Sequence, residues 1–427
     1  MEFLGSIVKF ITDAGPAVMM PVIILLLGLV FGVKLGRALL AGLTVGVGFI
    51  GLNLIVGLIW GAIAGVATKL VETFGFSLSA VDIGWPVAAS FAWTTPVTVP
   101  VVLAIIITNL IMLAIGWTKT MDVDIWNYWA ALFPAAILYL ITDSMILAVL
   151  SAIINMALIF IIADWTAPTI NEYFGFEGVS LPHIFTTAWA VITIPLDKLI
   201  DKIPGLNKIK LTPEGIQEKL GPLGQPVFIG LFMGIILAAL ARMDLKTVLL
   251  TGMQLGAGMV LLPRMVALLM EGLVPFSEGV RAFFETRFKG REVYIGLDSA
   301  IIVGYPSVLT TGLLMVPITL LLAVILPGNR TLPMADLAAL PFVVAWAVIP
   351  SRGNLFRGVL IATLYMIPIL YTATWIAPLM TQLGVEYSGF EIPAGATQIT
   401  SMVAAWDGYV WITHWLMTTL HNLIPAL

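Results

Sequence analysis

Apolar runs long enough to cross a lipid bilayer recur along almost the whole chain of 427 residues. A transmembrane helix needs about 20 mainly apolar residues, so the chain has room for roughly ten crossings. Only 10% of the residues are charged and 60% are hydrophobic, whereas soluble domains carry about 25% charged residues. This composition excludes a soluble enzyme, a nucleic-acid-binding protein and a disordered scaffold. It predicts an all-α polytopic membrane protein that contacts the lipid bilayer.

Four irregular apolar stretches interrupt the predicted spans. The spans run over 16–33, 38–65, 96–117, 126–142, 145–163, 226–241, 246–272, 309–327, 335–350 and 355–378. The irregular stretches are 76–95, 174–195, 292–308 and 388–400, which mix Gly, Pro, acidic residues or His with apolar residues. Irregular backbone persists at membrane depth only where protein or a wet cavity satisfies its polar groups. We therefore predict re-entrant hairpins at these stretches.

The two halves of the chain match each other at an offset near 210 residues. The matched positions are Pro16 with Pro226, 39–48 with 249–258, Lys119-Thr120 with Arg330-Thr331, and Asp124 with Asp336. A turn is predicted at Thr142-Asp143-Ser144, and Ser351-Arg352-Gly353-Asn354 is its candidate counterpart. About five spans per half is an odd number, which inserts the second half upside down. The pattern predicts two inverted repeats, an arrangement common in transporters.

The distribution of basic residues predicts the orientation in the membrane. With the N-terminus outside, 15 of the 20 Lys and Arg residues fall on the inner side, as the positive-inside rule favours. The polar connector 195–224 is then cytoplasmic. The first 15 residues lack the basic region and cleavage site of a signal peptide, and we expect them to form an amphipathic lead into the first span.

Ionisable residues at membrane depth are costly, so those that remain are candidates for function. Asp298 lies in the apolar segment 295–301, and Asp82 occupies the comparable segment of the first half. Either carboxylate could instead cap the N-terminus of a short helix. His183 follows a Gly-rich break at a predicted hairpin tip, although a lone His can also be a packing residue.

Asp124 and Asn127 open the fourth span together with aromatic residues. A carboxylate and an amide bind hydroxyl groups, and aromatic rings pack on C–H faces, so this group could hold a polyol. The alternative is a helix cap at the membrane surface. The chain has no Cys, and His414 with His421 makes a poor metal site, so neither a metal nor a cofactor is expected.

Several longer segments resemble a known family. They are VDIGWP (81–86), MDVDIWNYW (121–129), FEGVSLPH (176–183), 203–226, IGLDSAI (295–301), LPGNRTLP (326–333) and RGNLFRG (352–358). Together they resemble the IIC membrane component of a galactitol-type sugar phosphotransferase system (PTS), in the ascorbate–galactitol group. The likeness covers about residues 10 to 400.

The resemblance implies an architecture and a set of partners. Members are homodimers in the bacterial plasma (inner) membrane, with a V-motif domain and a core domain that moves against it as an elevator. A separate IIB protein, charged through IIA, phosphorylates the sugar alcohol from a phosphocysteine, so this chain is the membrane subunit of a sugar phosphotransferase. The implied divisions are 1–165 (V-motif part 16–65), 166–225 with the re-entrant segment and connector, 226–378 (V-motif part 226–272), and 379–427.

The resemblance also implies roles for particular residues. His183 and Asp298 match positions that contact the sugar, and the segments around Trp85 and Asp124 to Tyr128 match further contacting segments. We predict that Asp298 is catalytic and that His183, Asp298, Asp124, Asn127, Trp85 and Asp82 bind substrate. The family pattern continues past Leu427, which implies a truncated C-terminus.

Two departures from the family pattern leave the sugar open. Leu140-Ile141-Thr142-Asp143-Ser144 replaces the expected LATGS, and Gly304-Tyr305-Pro306 replaces Gly-His-Thr. The alternative reading of the residues alone is a proton-coupled secondary transporter of a polar solute, with Asp298 or Asp82 as the coupling carboxylate.

Overall fold

The structure is a computed structural model that describes residues 16–75, 77–287, 292–393, 396–406 and 408–424. The predicted N-terminal lead, 1–15, lies outside the described residues. The helices are α1 (Pro16–Val30), α2 (Leu35–Phe74), α3 (Trp85–Trp93), α4 (Thr98–Ile115), α5 (Trp129–Thr142), α6 (Met145–Phe174), α7 (Ile184–Thr187), α8 (Ala190–Ile200), α9 (Pro213–Leu220), α10 (Pro226–Leu240), α11 (Leu245–Arg287), α12 (Ala300–Val303), α13 (Pro306–Ile325), α14 (Leu340–Val348), α15 (Leu355–Ser388) and α16 (Gly408–Leu423).

Short strands and 3₁₀ turns separate these helices. The strands are β1 (Ala80–Asp82), β2 (Thr120–Asp122), β3 (Val179–Ser180), β4 (Tyr294–Gly296), β5 (Thr331–Leu332) and β6 (Gln398–Thr400). The 3₁₀ turns are Ile125–Tyr128, Leu206–Lys208, Gly221–Gly224, Ala335–Ala339 and Val403–Ala405.

Six of the described helices are long and apolar enough to cross a membrane, or seven if the bent pair Pro213–Gly224 and Pro226–Leu240 is one span. The chain is thus a mainly helical, polytopic membrane protein. All ten predicted spans fall on helices, but those at 16–33, 126–142, 226–241 and 335–350 fall on helices of at most 15 residues. Roughly ten crossings therefore stays a prediction, because length and composition alone identify six or seven spans among the described helices.

The long helices also extend beyond the predicted spans. The helix α2 continues to Phe74 instead of 65, and α11 continues to Arg287 instead of 272. Hydropathy detects only the apolar part of a helix, whereas the helix continues until a residue stops it. Gly75 ends α2 in the left-handed conformation, at φ 66°, which Gly adopts without steric cost.

Each irregular apolar stretch contains one strand, which the sequence did not predict. The strands form two parallel three-stranded sheets, in the orders β5-β1-β6 and β2-β4-β3. The first strand of each half is therefore central and pairs with the second and third strands of the other half. This pairing satisfies backbone groups that an irregular segment would leave unpaired in an apolar interior.

The helices α1, α2, α10 and α11 pack on one another along small residues. A Cβ atom on Gly48 would lie 2.9 Å from the Cα of Leu269, so α2 and α11 approach as closely as their backbones allow. Close backbone approach through small residues is the usual means of helix packing in membranes. The remaining elements surround the two sheets.

Candidate functional site

A small cavity is lined by residues from the segments that follow all six strands. These residues are Trp85 after β1, Asn127 and Trp129 after β2, His183 and Phe185 after β3, Asp298 after β4, Ala339 and Phe342 after β5, and Val403 and Trp406 after β6. Ligand sites in open parallel sheets lie beyond the carboxyl ends of the strands. The segments that follow the strands of both small sheets therefore converge on one cavity.

His183 and Asp298 face each other in this cavity. His183 Nε2 lies 3.9 Å from Asp298 Oδ1, while its Nδ1 is 2.9 Å from the Thr186 hydroxyl. Asp298 Oδ1 accepts a hydrogen bond from the backbone N–H of Ala300 at 2.8 Å. Within the described part of the chain, no hydrogen-bond partner is found for His183 Nε2 or Asp298 Oδ2. Both atoms are therefore free to bind a solute.

Asn127 lines the cavity, and Asp124 lies beside it. The Asn127 amide donates a hydrogen bond to Asp124 Oδ2, and the Asp124 backbone N–H donates to Asp122 Oδ1 at 3.1 Å. Asp124 is buried and is not among the lining residues. In this structure it orients Asn127, and its predicted contact with substrate stays a prediction.

Aromatic rings form one continuous wall of the cavity. Trp85 stacks on Trp129 with ring centres 5.5 Å apart, Trp129 contacts Phe185 at 4.4 Å, and Phe185 contacts Trp406 edge to face at 6.4 Å. The indole N–H groups of Trp129 and Trp406 are buried and find no acceptor among the described residues. Such a wall offers apolar faces to C–H groups.

Sequence reasoning missed most of this wall. Trp129 ends the motif 121–129 and Phe185 follows His183 by two residues, so local signals for both were present. Phe342 and Trp406 stand in segments that carried no polar signal. Their position depends on strand pairing between distant parts of the chain.

Asp82 lies outside the cavity lining. Its Oδ1 accepts from the backbone N–H of Gly84 at 3.1 Å, and its Oδ2 accepts from those of Met334 at 3.1 Å and Asp336 at 2.8 Å. This is the capping geometry that the sequence left open as the alternative. A role for Asp82 in binding substrate stays a prediction that these contacts do not support.

Metal ligands do not cluster in the part of the chain that the structure describes: no group of three or more His, Asp or Glu side chains could hold an ion there. His414 is buried against Trp375 and Trp411. The groups that the cavity offers are therefore hydrogen-bonding and aromatic side chains.

Long apolar helices around a small cavity of polar and aromatic groups define a polytopic membrane protein. The family model described as "PTS system sugar-specific permease component" matches residues 9–395, and the chain belongs to this family. The resemblance noted in the sequence is thereby confirmed.

Curated relatives agree with the family model. The "PTS system galactitol-specific EIIC component" of Escherichia coli strain K12 is 37% identical over 403 residues, covering 94% of this chain and 88% of the relative. Its counterpart in E. coli O157:H7 gives the same values. A "Putative permease IIC component" of strain K12 is 37% identical over 393 residues, covering 92% and 90%. As a PTS permease component, the chain acts on a sugar substrate with separate IIB and IIA proteins.

Proposed function

We propose that the chain binds a galactitol-like sugar alcohol in the cavity, carries it inward and presents it to IIB for phosphorylation. The observation that carries the proposal is the convergence of Trp85, Asn127, His183 and Asp298 on one cavity. Relatives named galactitol-specific indicate the kind of substrate.

A polyol matches the groups that the cavity presents. Each hydroxyl both donates and accepts a hydrogen bond, so it can donate to Asp298 Oδ2 and bond to His183 Nε2. Hydroxyl oxygens can also accept from the unpartnered indole N–H groups of Trp129 and Trp406. The C–H faces of the carbon chain pack on the aromatic wall.

Asp298 serves as the general base in the proposed reaction. A substrate hydroxyl oxygen attacks the phosphorus of the phosphocysteine on IIB, the new O–P bond forms, and the S–P bond breaks to release the IIB thiolate. The hydroxyl proton passes to the Asp298 carboxylate. His183 orients the substrate and carries no phosphoryl group, because it is buried and a histidine carrier must meet its donor protein.

Two inverted repeats account for the matched sheets. Exchanging β1, β2 and β3 with β4, β5 and β6 converts one strand order into the other. The two predicted turns also correspond, since Asp143 and Arg352 have φ of 52° and 53°. The helices α1, α2, α10 and α11, which pack along glycines, form the V-motif domain and continue beyond its predicted parts, 16–65 and 226–272. The other elements form the core of an elevator-type homodimer.

The N-terminus lies outside the bacterial inner membrane in the proposed orientation. Segments assigned to the same side are in contact: the Thr73 hydroxyl donates to the Ala241 carbonyl at 3.0 Å, close to Lys69 and Arg242 on the outer side. Asn354 donates to the Ile209 carbonyl at 2.7 Å, which joins the connector to a loop on the inner side. These contacts support the assignment of each pair of segments to the same side of the membrane.

Reconstituted vesicles test the function. Vesicles that contain the protein should convert external polyol to internal sugar phosphate only when phosphorylated IIB is inside them, and an ionophore should have no effect. A proton-coupled transporter would instead accumulate unmodified solute and lose it with the ionophore. A thermal-shift screen of the purified protein against polyols then identifies the sugar.

Cysteine labelling tests the orientation, because the chain has no Cys of its own. A single Cys at Lys208 should resist a membrane-impermeant reagent in intact cells, and one at Lys246 should react. The reverse pattern would overturn the proposed orientation and leave the cavity unaffected.

A further inference from the structure

A second pair of carboxylates lies behind the cavity wall. Asp82 and Asp336 are 2% and 1% exposed. Asp336 Oδ1 accepts from the backbone N–H of Trp85 at 2.8 Å, and Oδ2 accepts from the Ser401 hydroxyl at 2.6 Å and the backbone N–H of Val403 at 3.0 Å. Trp85 and Val403 both line the cavity.

We propose that Asp336 is a positioning residue that sets the aromatic wall and thereby the affinity for substrate. The proposal rests on the proposed function, because it concerns the same cavity. Hydrogen bonds from backbone N–H groups to a carboxylate are short and strong. One side chain therefore ties the segment after β1 and the segment after β6 to the 3₁₀ turn after β5.

The bonds of Asp336 anchor both ends of the wall. Trp85 begins the ring series that continues through Trp129 and Phe185. Val403 begins the 3₁₀ turn that precedes Trp406, the last ring of the series. If Asp336 loses one acceptor oxygen, one end of the wall is no longer held at its present position.

Neighbouring contacts hold Asp336 itself in place. Asp82 Oδ2 accepts the backbone N–H of Asp336 at 2.8 Å. Gly84, at φ +89°, lets the backbone pass close to the turn, since a Cβ there would lie 2.9 Å from the Cβ of Ala335. A larger residue at 84 would push Trp85 away from the carboxylate.

Asp336→Asn tests the proposal, with Asp164→Asn as the matched control. An Asn has one acceptor oxygen, so it cannot accept from Trp85 on one side and from Ser401 and Val403 on the other. Asp164 also accepts three hydrogen bonds, from the Thr118 hydroxyl, the Lys119 N–H and the Thr120 hydroxyl. None of its partners lines the cavity.

The first readout is polyol binding by the purified full-length protein, and the second is the circular-dichroism couplet of the stacked Trp85 and Trp129. A Trp129→Phe reference identifies that couplet, because it removes the Trp85–Trp129 pair and keeps the neighbouring Trp60–Trp85 pair, whose rings lie 5.7 Å apart. Asp336→Asn leaves a buried donor at one end of the wall without an acceptor, so it should weaken polyol binding about tenfold to a hundredfold. The couplet should be lost or reduced if the Trp85 end is the one released. Asp164→Asn should lower the melting temperature but change neither readout.

Ser401→Ala provides a second, milder variant that removes one bond to Asp336. It acts at Asp336 Oδ2 and on the Val403 and Trp406 end of the wall. It should therefore weaken polyol binding by about twofold to tenfold and leave the Trp85–Trp129 couplet unchanged, which keeps the test decisive even if Asp336→Asn does not fold. Wild-type binding with an intact couplet in the folded variants would overturn the proposal. If the wild-type protein bound no polyol, the proposed function would fail, while the couplet would still decide the role of Asp336.

Discussion

The two small sheets have equivalent strand orders, but the carboxylates that follow their strands make different contacts. Beyond the β5-β1-β6 sheet, the carboxylate oxygens of Asp82 and Asp336 all accept hydrogen bonds, from five backbone N–H groups and one hydroxyl. Beyond the β2-β4-β3 sheet, Asp298 is 16% exposed at its side chain and accepts only the Ala300 N–H among the described residues.

This difference separates a structural carboxylate from a chemical one. A buried carboxylate whose lone pairs are filled by backbone donors stabilises the fold and has no capacity left for a ligand. An oxygen that faces a cavity can accept a proton or a hydroxyl hydrogen. In the proposed mechanism, the same topology therefore positions the wall at one sheet and supplies the general base at the other.

The largest expected effect is at Asp298. Asp298→Asn keeps the shape of the side chain but removes the base, and general-base catalysis contributes typically about 10²–10⁴-fold in rate. IIB-dependent phosphorylation should fall by that factor, while expression and melting temperature change little. A near wild-type rate would make Asp298 a helix cap like Asp82 and would remove the contrast between the sheets.

The next largest effect is expected at His183. His183→Ala should weaken polyol binding about tenfold to a hundredfold, because it removes a hydrogen bond and leaves a buried hydroxyl unpaired at a cost of about 1–3 kcal/mol. His183→Gln retains a donor and an acceptor and should keep part of the affinity. Binding is measured without any phosphate donor. If both variants bind like wild type yet fail to phosphorylate, His183 acts in the chemical step instead.

Asp82 should show the reverse balance of effects. Asp82→Ala leaves the N–H groups of Gly84, Met334 and Asp336 without an acceptor, at about 1–3 kcal/mol for each buried group. The free energy of unfolding should therefore fall more than in Asp298→Ala, which orphans only the N–H of Ala300. Thermal melting in detergent compares the two. A fully stable Asp82→Ala protein that no longer binds polyol would restore the predicted substrate contact.

The smallest effect concerns one indole N–H. Replacing Trp129 with benzothienylalanine keeps the ring size but removes the donor, so polyol affinity should fall about twofold to tenfold. Trp346 is the matched control, because its indole N–H is also buried without a partner but does not line the cavity. The same replacement at Trp346 should leave binding unchanged. Equal losses at both positions would mean that the substrate does not pair with Trp129.

Part of the site could be predicted from local sequence. His183 and Asp298 are polar residues in apolar, irregular stretches. Burying such residues at membrane depth costs free energy, so their presence indicates a function. The strands beside them could not be predicted, because two or three residues are too few to show an alternating pattern. Asp336 was matched to Asp124 in the internal repeat, but its contacts could not be predicted, since they depend on partners near positions 85 and 403.

The sequence by itself determined that this chain is a mainly helical membrane protein of the PTS permease family, because apolar runs and family motifs are local properties. It did not determine which carboxylate meets the substrate. Asp82 and Asp298 stand in similar apolar segments with Gly close by. Tertiary structure distinguishes them, because the N–H groups of residues 334 and 336 occupy Asp82 Oδ2, beside the local Gly84 N–H on Oδ1. Asp298 lines the cavity, and its Oδ2 has no partner among the described residues.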